Sequence, residues 1–160
     1  MLDSRGGQRH EVSVTGAVTL SPVTRRLGFH FATDPRGHFD TEKVIGFLRD
    51  LLRPLRGRVV AVWDGGGNHK GPAMREFLRE NRRLRLERLP AHSPHLDPVE
   101  AVWSWLKCGR LANFVPADVI DLDDRVLDFL VELRLNPRLL RRLWDGSELP
   151  FPIPLKRQSG

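Results

Sequence analysis

Apolar and polar residues alternate from Glu11 to Leu20, with Val12, Val14, Gly16, Val18 and Leu20 on one side. They alternate again from Arg26 to Thr33, through Leu27, Phe29 and Phe31. Period-two segments rich in Val, Thr and Phe are strand chemistry, and the short Ser21-Pro22 connection predicts an antiparallel hairpin. Asp34-Pro35-Arg36-Gly37 then breaks the pattern. From Asp40 or Thr41 as N-cap, Val44, Ile45, Leu48, Leu51 and Leu52 recur at helical spacing until Pro54.

The period then changes once more. Arg58 to Trp63 is a short apolar run closed by Asp64 and three glycines, as in a strand buried on both faces of a covered sheet. Pro72 to Glu80 reads as a helix, with Met74, Phe77 and Leu78 inward, and Leu84 to Leu89 as a strand. Pro90 to Pro98 is a loop. Helices follow over Val99 to Lys107, Asp118 to Leu135 and Pro137 to Trp144. The expected fold class is α/β. The expected organisation is a disordered lead-in (1–10), one domain (11–149) and a proline-rich flexible tail (150–160).

At 160 residues the chain can hold one domain with a real core. Lys and Arg number 26 against 20 Asp and Glu, a net charge of +6 carried mostly by arginine. The planar guanidinium suits phosphate, so the balance leans towards nucleic acid. One cysteine, Cys108, excludes an internal disulfide and a cysteine-rich zinc site, and fits a cytoplasmic setting. No apolar run reaches membrane-spanning length.

Two acids then stand out. Asp64 ends the apolar run, where α/β proteins gather functional groups, although an aspartate there also serves as a turn or cap residue. Glu100 lies in His92-Ser-Pro-His-Leu-Asp97-Pro98-Val-Glu100. Asp97 is a good N-cap, Pro98 suits the first helical position, and Glu100 at the third would complete a capping box. A carboxylate in a first helical turn beside a strand end also suits divalent-metal phosphoryl transfer. Mg²⁺ takes a few acids from separate rigid elements, and two ions ~3.5–4 Å apart serve the attacking and leaving oxygens.

Asp64-Gly-Gly-Gly-Asn68-His69, then Leu89-Pro90-Ala-His-Ser93-Pro94-His-Leu96-Asp97-Pro98-Val-Glu100, then Trp103 and Lys107 resembles the DDE transposases of bacterial insertion sequences related to mariner elements. The resemblance covers roughly residues 10–145. It implies a ribonuclease H-like mixed sheet flanked by helices, and metal-dependent cleavage and joining of double-stranded DNA at element ends. Asp64 and Glu100, with 35 residues between them, match catalytic metal ligands for Mg²⁺ or Mn²⁺. Asn68, His69 and Asp97 would support them. His69 either orients a phosphate or closes the turn. Gly65 and Asp97 stand where the family has Asn.

Arg75, Arg79 and Lys107 are candidate DNA contacts, with a solvated helix face as the plainer reading for the two arginines. The family's first catalytic Asp lies on an opening central strand, and this sequence is expected to start after it. Asp3 sits among Ser and Gly rather than in an apolar run. The expectation is an N-terminally truncated catalytic domain acting with itself or an upstream transposase polypeptide, in the cytoplasm at the nucleoid. The alternative is a silent DNA-binding or transposase-partner fragment.

Overall fold

The structure is a computed structural model that describes residues 10–64 and 71–151. Asp3, Asn68, His69, and most of the lead-in and of the tail lie outside the described residues. Among the described residues, four strands and five helices follow one another: β1 (Ser13–Leu20), β2 (Leu27–Asp34), α1 (Thr41–Leu52), β3 (Val59–Trp63), α2 (Pro72–Glu80), β4 (Leu84–Arg88), α3 (Pro98–Ser104), α4 (Val119–Arg134) and α5 (Pro137–Asp145). A 3₁₀ turn at Pro94–Leu96 precedes α3, and a π-helical turn at Trp105–Arg110 extends it.

β1 and β2 form the expected antiparallel hairpin, in a register that sets Gly16 opposite Phe31 and Val18 opposite Phe29. Side chains alternate across a strand, so Val14, Val18, Leu27, Phe29 and Phe31 share one face. There they meet Val102 and Leu106, Val126, Leu130 and Leu133 of α4, and Leu140 of α5. Gly16 is bare because the Trp103 ring of α3 lies on it: a Cβ there would stand 2.9 Å from Cη2 of Trp103 and 3.2 Å from the Phe29 ring.

A second core lies between α1 and α2, closed by β3 and β4. Val44, Ile45, Leu48, Met74, Phe77 and Leu84 are its centre, and Ala17 reaches it from β1, so α1 is common ground for both strand pairs. Asp40 caps α1 by accepting from the Lys43 N–H at 2.9 Å. The other end of α1 is tied down by Arg83, which donates to the carbonyls of Leu52, Leu55 and Gly57 just before β3 begins.

β3 and β4 pair in parallel, Ala61 against Leu86. Among the described residues the four strands form two two-stranded sheets, one antiparallel and one parallel, rather than one continuous mixed sheet. The expectation that β3 is covered on both faces is corrected. Val59 and Ala61 face the helices, but Val60 and Val62 are 60% and 57% exposed. The helices after β4 pack on the hairpin instead, leaving that face of β3 open. No helix among the described residues is long and apolar enough to cross a membrane.

Candidate active site

Asp64 immediately follows β3 and is exposed. The loop after β4 returns through the 3₁₀ turn to α3, whose N-terminus presents the second acidic group. Asp97 is the N-cap: its Oδ1 accepts from the Val99 N–H at 3.0 Å, and Pro98 occupies the first turn, where no backbone donor is needed. Burial raises the pKa of Asp97. The Val99 hydrogen bond pulls it down, and the charge of Asp64 pushes it up again. Asp64 and the start of α3 therefore share one electrostatic environment, although 32 residues separate them in the sequence.

Glu100 lies one turn further along, within the ~5–6 Å at which side chains three apart meet on a helix. The capping box predicted for it does not close. The Asp97 N–H donates to the Pro94 carbonyl at 3.0 Å, within the 3₁₀ turn. The reciprocal bond from Glu100 has thus lost its donor. Glu100 is exposed, and its carboxylate takes no hydrogen bond or ion pair from the described residues. The chemistry that would have explained it away as a helix cap is absent.

Asp97 and Glu100 line a cleft of about 470 Å³ between α3 and α5, with Ala101, Ser104 and Trp105 on one wall and Leu143, Gly146 and Ser147 on the other. The Glu148 N–H donates to the His95 carbonyl at 2.9 Å and ties the segment after α5 to the loop before α3. Periodicity alone gave no sign that α5 lines this cleft, because Leu143, which borders it, belongs to the same apolar stripe as the core residue Leu140.

Of the candidate DNA contacts, Arg75 and Lys107 are exposed. Arg79 is also exposed but held in an ion pair with Glu76. Asn68 and His69 are outside the described residues. No cluster of three or more His, Cys, Asp or Glu able to hold a metal occurs among the described residues. Asp64 and Glu100 nonetheless fit Mg²⁺ chemistry, since that ion commonly takes one or two protein carboxylates and completes its shell with water. The like-charge pressure of Asp64 on Asp97 is what a cation there would relieve.

Carboxylates carried by a strand end and a helix start, on an α/β frame, are an arrangement that suits metal-assisted phosphoryl transfer. The comparison with known families agrees. A family model described as DDE superfamily endonuclease matches residues 2–122, and the chain belongs to that family. The fold is similar to that of the Mos1 transposase catalytic domain, which is ribonuclease H-like. In its structure with raltegravir and Mg, the TM-score is 0.55 at 16% identity, over 84% of this chain and 78% of that one. In the structure with raltegravir and Mn, the TM-score is again 0.55, at 15% identity over the same shares. No curated protein matches the sequence. The chain thus joins the sequence signature of the DDE superfamily endonucleases to a fold similar to that of the Mos1 catalytic domain.

Proposed function

We propose that this chain cleaves and joins DNA strands at insertion-sequence ends, with Asp64 and Glu100 as its catalytic carboxylates and Asp97 as the cap that sets Glu100 in place. The observation that carries this reading is the placing of Asp64 at the end of β3 and of Glu100, which no cap consumes, in the first turn of α3, in a chain that belongs to the DDE superfamily endonucleases. Asp64 and Glu100 would hold Mg²⁺ or Mn²⁺, the ions named for the similar Mos1 structures. Bound there, a divalent ion supplies positive charge to the phosphate oxygens and favours ionisation of the attacking hydroxyl. In the reaction, an oxygen of water or of a DNA 3′-hydroxyl bonds to phosphorus and loses its proton to solvent. The P–O3′ bond breaks, and the released oxygen takes up a proton.

The acids come from a strand end and a helix start, each braced by its own core. Lys107 lies two turns beyond Glu100 and would meet a phosphate further along the same strand. Such an activity belongs to a cytoplasmic, nucleoid-associated protein. The test is nicking of end-containing duplex DNA with Mg²⁺ or Mn²⁺. Asp64→Asn and Glu100→Gln should each abolish it, and unchanged activity in both variants would remove these residues from the mechanism.

The open strands favour a second reading of how the chain works. β1 and β3 each pair on one side only among the described residues, and two valines of β3 face solvent. Unpaired edges are templates for another chain. A second copy, or an upstream transposase polypeptide, would pair there and bury Val60 and Val62. Sedimentation of the chain alone and with that polypeptide tests it. Monomers in both cases, with unchanged exchange of the β3 amides, would count against it.

A further inference from the structure

The parallel pair β3–β4 differs in charge at its two ends. Asp64 stands at the C-terminal end of β3. Arg58 stands at the other, six residues earlier, ~20 Å away at ~3.3 Å per residue. Val59 pairs with Leu84, so Arg58 and Arg83 are neighbours across the two strands, and the Val59 N–H donates to the Arg83 carbonyl at 2.8 Å. α1 and α2 both finish at this end, at Leu52 and Glu80. Residues 50–58 and 80–83 hold five arginines against two acids, Asp50 and Glu80, so 13 residues carry +3 of the chain's net +6.

Within that group the arginines divide by task. The Arg83 guanidinium donates to the carbonyls of Leu52, Leu55 at 2.7 Å and Gly57 at 3.2 Å. One fork thereby fixes the connection between α1 and β3 against the start of β4. Arg53 is paired with Asp50 at 3.1 Å. Arg56, Arg58 and Arg82 are exposed and take no ion pair, side-chain hydrogen bond or ring among the described residues. Arg56 and Arg58 flank Gly57, whose carbonyl Arg83 holds, and Arg82 directly precedes Arg83. All three are carried by one pinned stretch of backbone. Helix dipoles do not account for them. That effect fades within the last turn, and Arg56 and Arg58 lie four and six residues beyond Leu52, where Arg83 already serves the open carbonyls.

We propose that Arg56, Arg58 and Arg82 bind backbone phosphates of duplex DNA, forming a contact separate from the candidate active site. The proposal rests on the DNA-cleavage reading for the identity of the polyanion. Three like charges, with Glu80 the one acid of the group left unpaired among the described residues, repel one another, and a row of phosphates removes that cost. Guanidinium forks suit phosphate oxygens, and a duplex offers one phosphate per ~3.4 Å of axis along each strand. Each arginine can then meet its own phosphate. At ~20 Å from Asp64 along β3, the phosphates held here are not the one cleaved, so the patch adds affinity without entering the chemistry.

The test is fluorescence anisotropy of the full chain with a labelled 30-base-pair duplex in EDTA, from 50 to 200 mM KCl. Arg56→Gln/Arg58→Gln/Arg82→Gln should lower the slope of log K against log salt by about 2.7, since each phosphate no longer neutralised removes about 0.9. Arg36→Gln/Arg138→Gln/Arg142→Gln removes the same charge from exposed arginines elsewhere and should leave the slope unchanged. Thermal melts by circular dichroism establish that both variants fold. If the first does not, its three single substitutions, each lowering the slope by about 0.9, decide the matter. Equal slopes in the two variants, whether both lowered or both unchanged, overturn the proposal, as does a parent chain that binds no duplex. Nicking separates the patch from the cleavage reading. A slope lowered only in the patch variant leaves the patch standing even if nicking survives Asp64→Asn and Glu100→Gln. An unchanged slope overturns the patch even if both acids prove essential to nicking.

Discussion

Adding one methyl group at Gly16 tests how α3 is seated. In a strand a glycine normally costs stability. Its φ here is not positive, so Gly16→Ala would ordinarily stabilise the fold by about 0.4–1 kcal/mol, through the unfolded chain. Trp103 reverses the sign. The new Cβ would lie 2.9 Å from Cη2 and 3.2 Å from Cζ2 of that ring, and 3.2 Å from Phe29, against an optimum near ~3.5–4.0 Å. Neither ring is a free end, because Phe29 is 1% exposed and Trp103 is anchored in α3. Overpacking of this kind costs about 1–3 kcal/mol. The net expectation is destabilisation by about 1.3 kcal/mol, from the midpoints of the two effects. For a chain of this size that is about 3–5 °C in Tm. Urea unfolding measures it, and combining Gly16→Ala with Trp103→Leu should remove most of the methyl's cost. A Gly16→Ala protein as stable as the parent, or more so, refutes the argument.

Other expectations follow from individual side chains. Asp97→Asn keeps a competent N-cap and loses a partly desolvated charge, so its stability should stay within a few tenths of a kcal/mol of the parent. Asp97→Ala should cost about 1 kcal/mol; the comparison is made by urea unfolding. Arg83→Ala leaves the carbonyls of Leu52, Leu55 and Gly57 without their donor, and should cost about 1–3 kcal/mol. His30 has its pKa lowered by burial and by Arg134. The unfolded state then binds the extra proton first, so stability falls as pH drops below about 6.5. That dependence should flatten in His30→Gln, measured by urea titrations between pH 5 and 7. Val62→Thr, on the open face of β3, should change the isolated chain by no more than about 0.5 kcal/mol, and a larger effect would show that the face is covered.

The hairpin was legible because alternation over two eight-residue strands has one solution, Val18 and Phe29 facing the core together. The first helix was legible because Asp40 and the Val44 to Leu52 spacing mark both its cap and its face. β3 was only half legible. Val59-Val60-Ala61-Val62 carries no periodicity to say that one face stays open, since this depends on where later helices dock. The capping box failed for a local reason, the Pro94–Leu96 turn claiming the Asp97 N–H before Glu100 could. The helix expected to run to Lys107 changes to π-type bonding at Trp105, closed by Leu111 N–H to the Leu106 carbonyl at 2.8 Å. No residue pattern announces such bonding. Neither did α5 show in sequence that Leu143 and its C-terminal end border the cleft, because lining a site depends on a neighbour about 40 residues away.

The central claim is that residues 64 and 100 serve one ion. Mn²⁺ added to isotope-labelled protein broadens the amide signals near where it binds. Binding by both acids predicts simultaneous broadening at 63–64 and 97–101, abolished by either Asp64→Asn or Glu100→Gln. Broadening at only one of these segments, or persisting at both in the variants, would contradict a shared site.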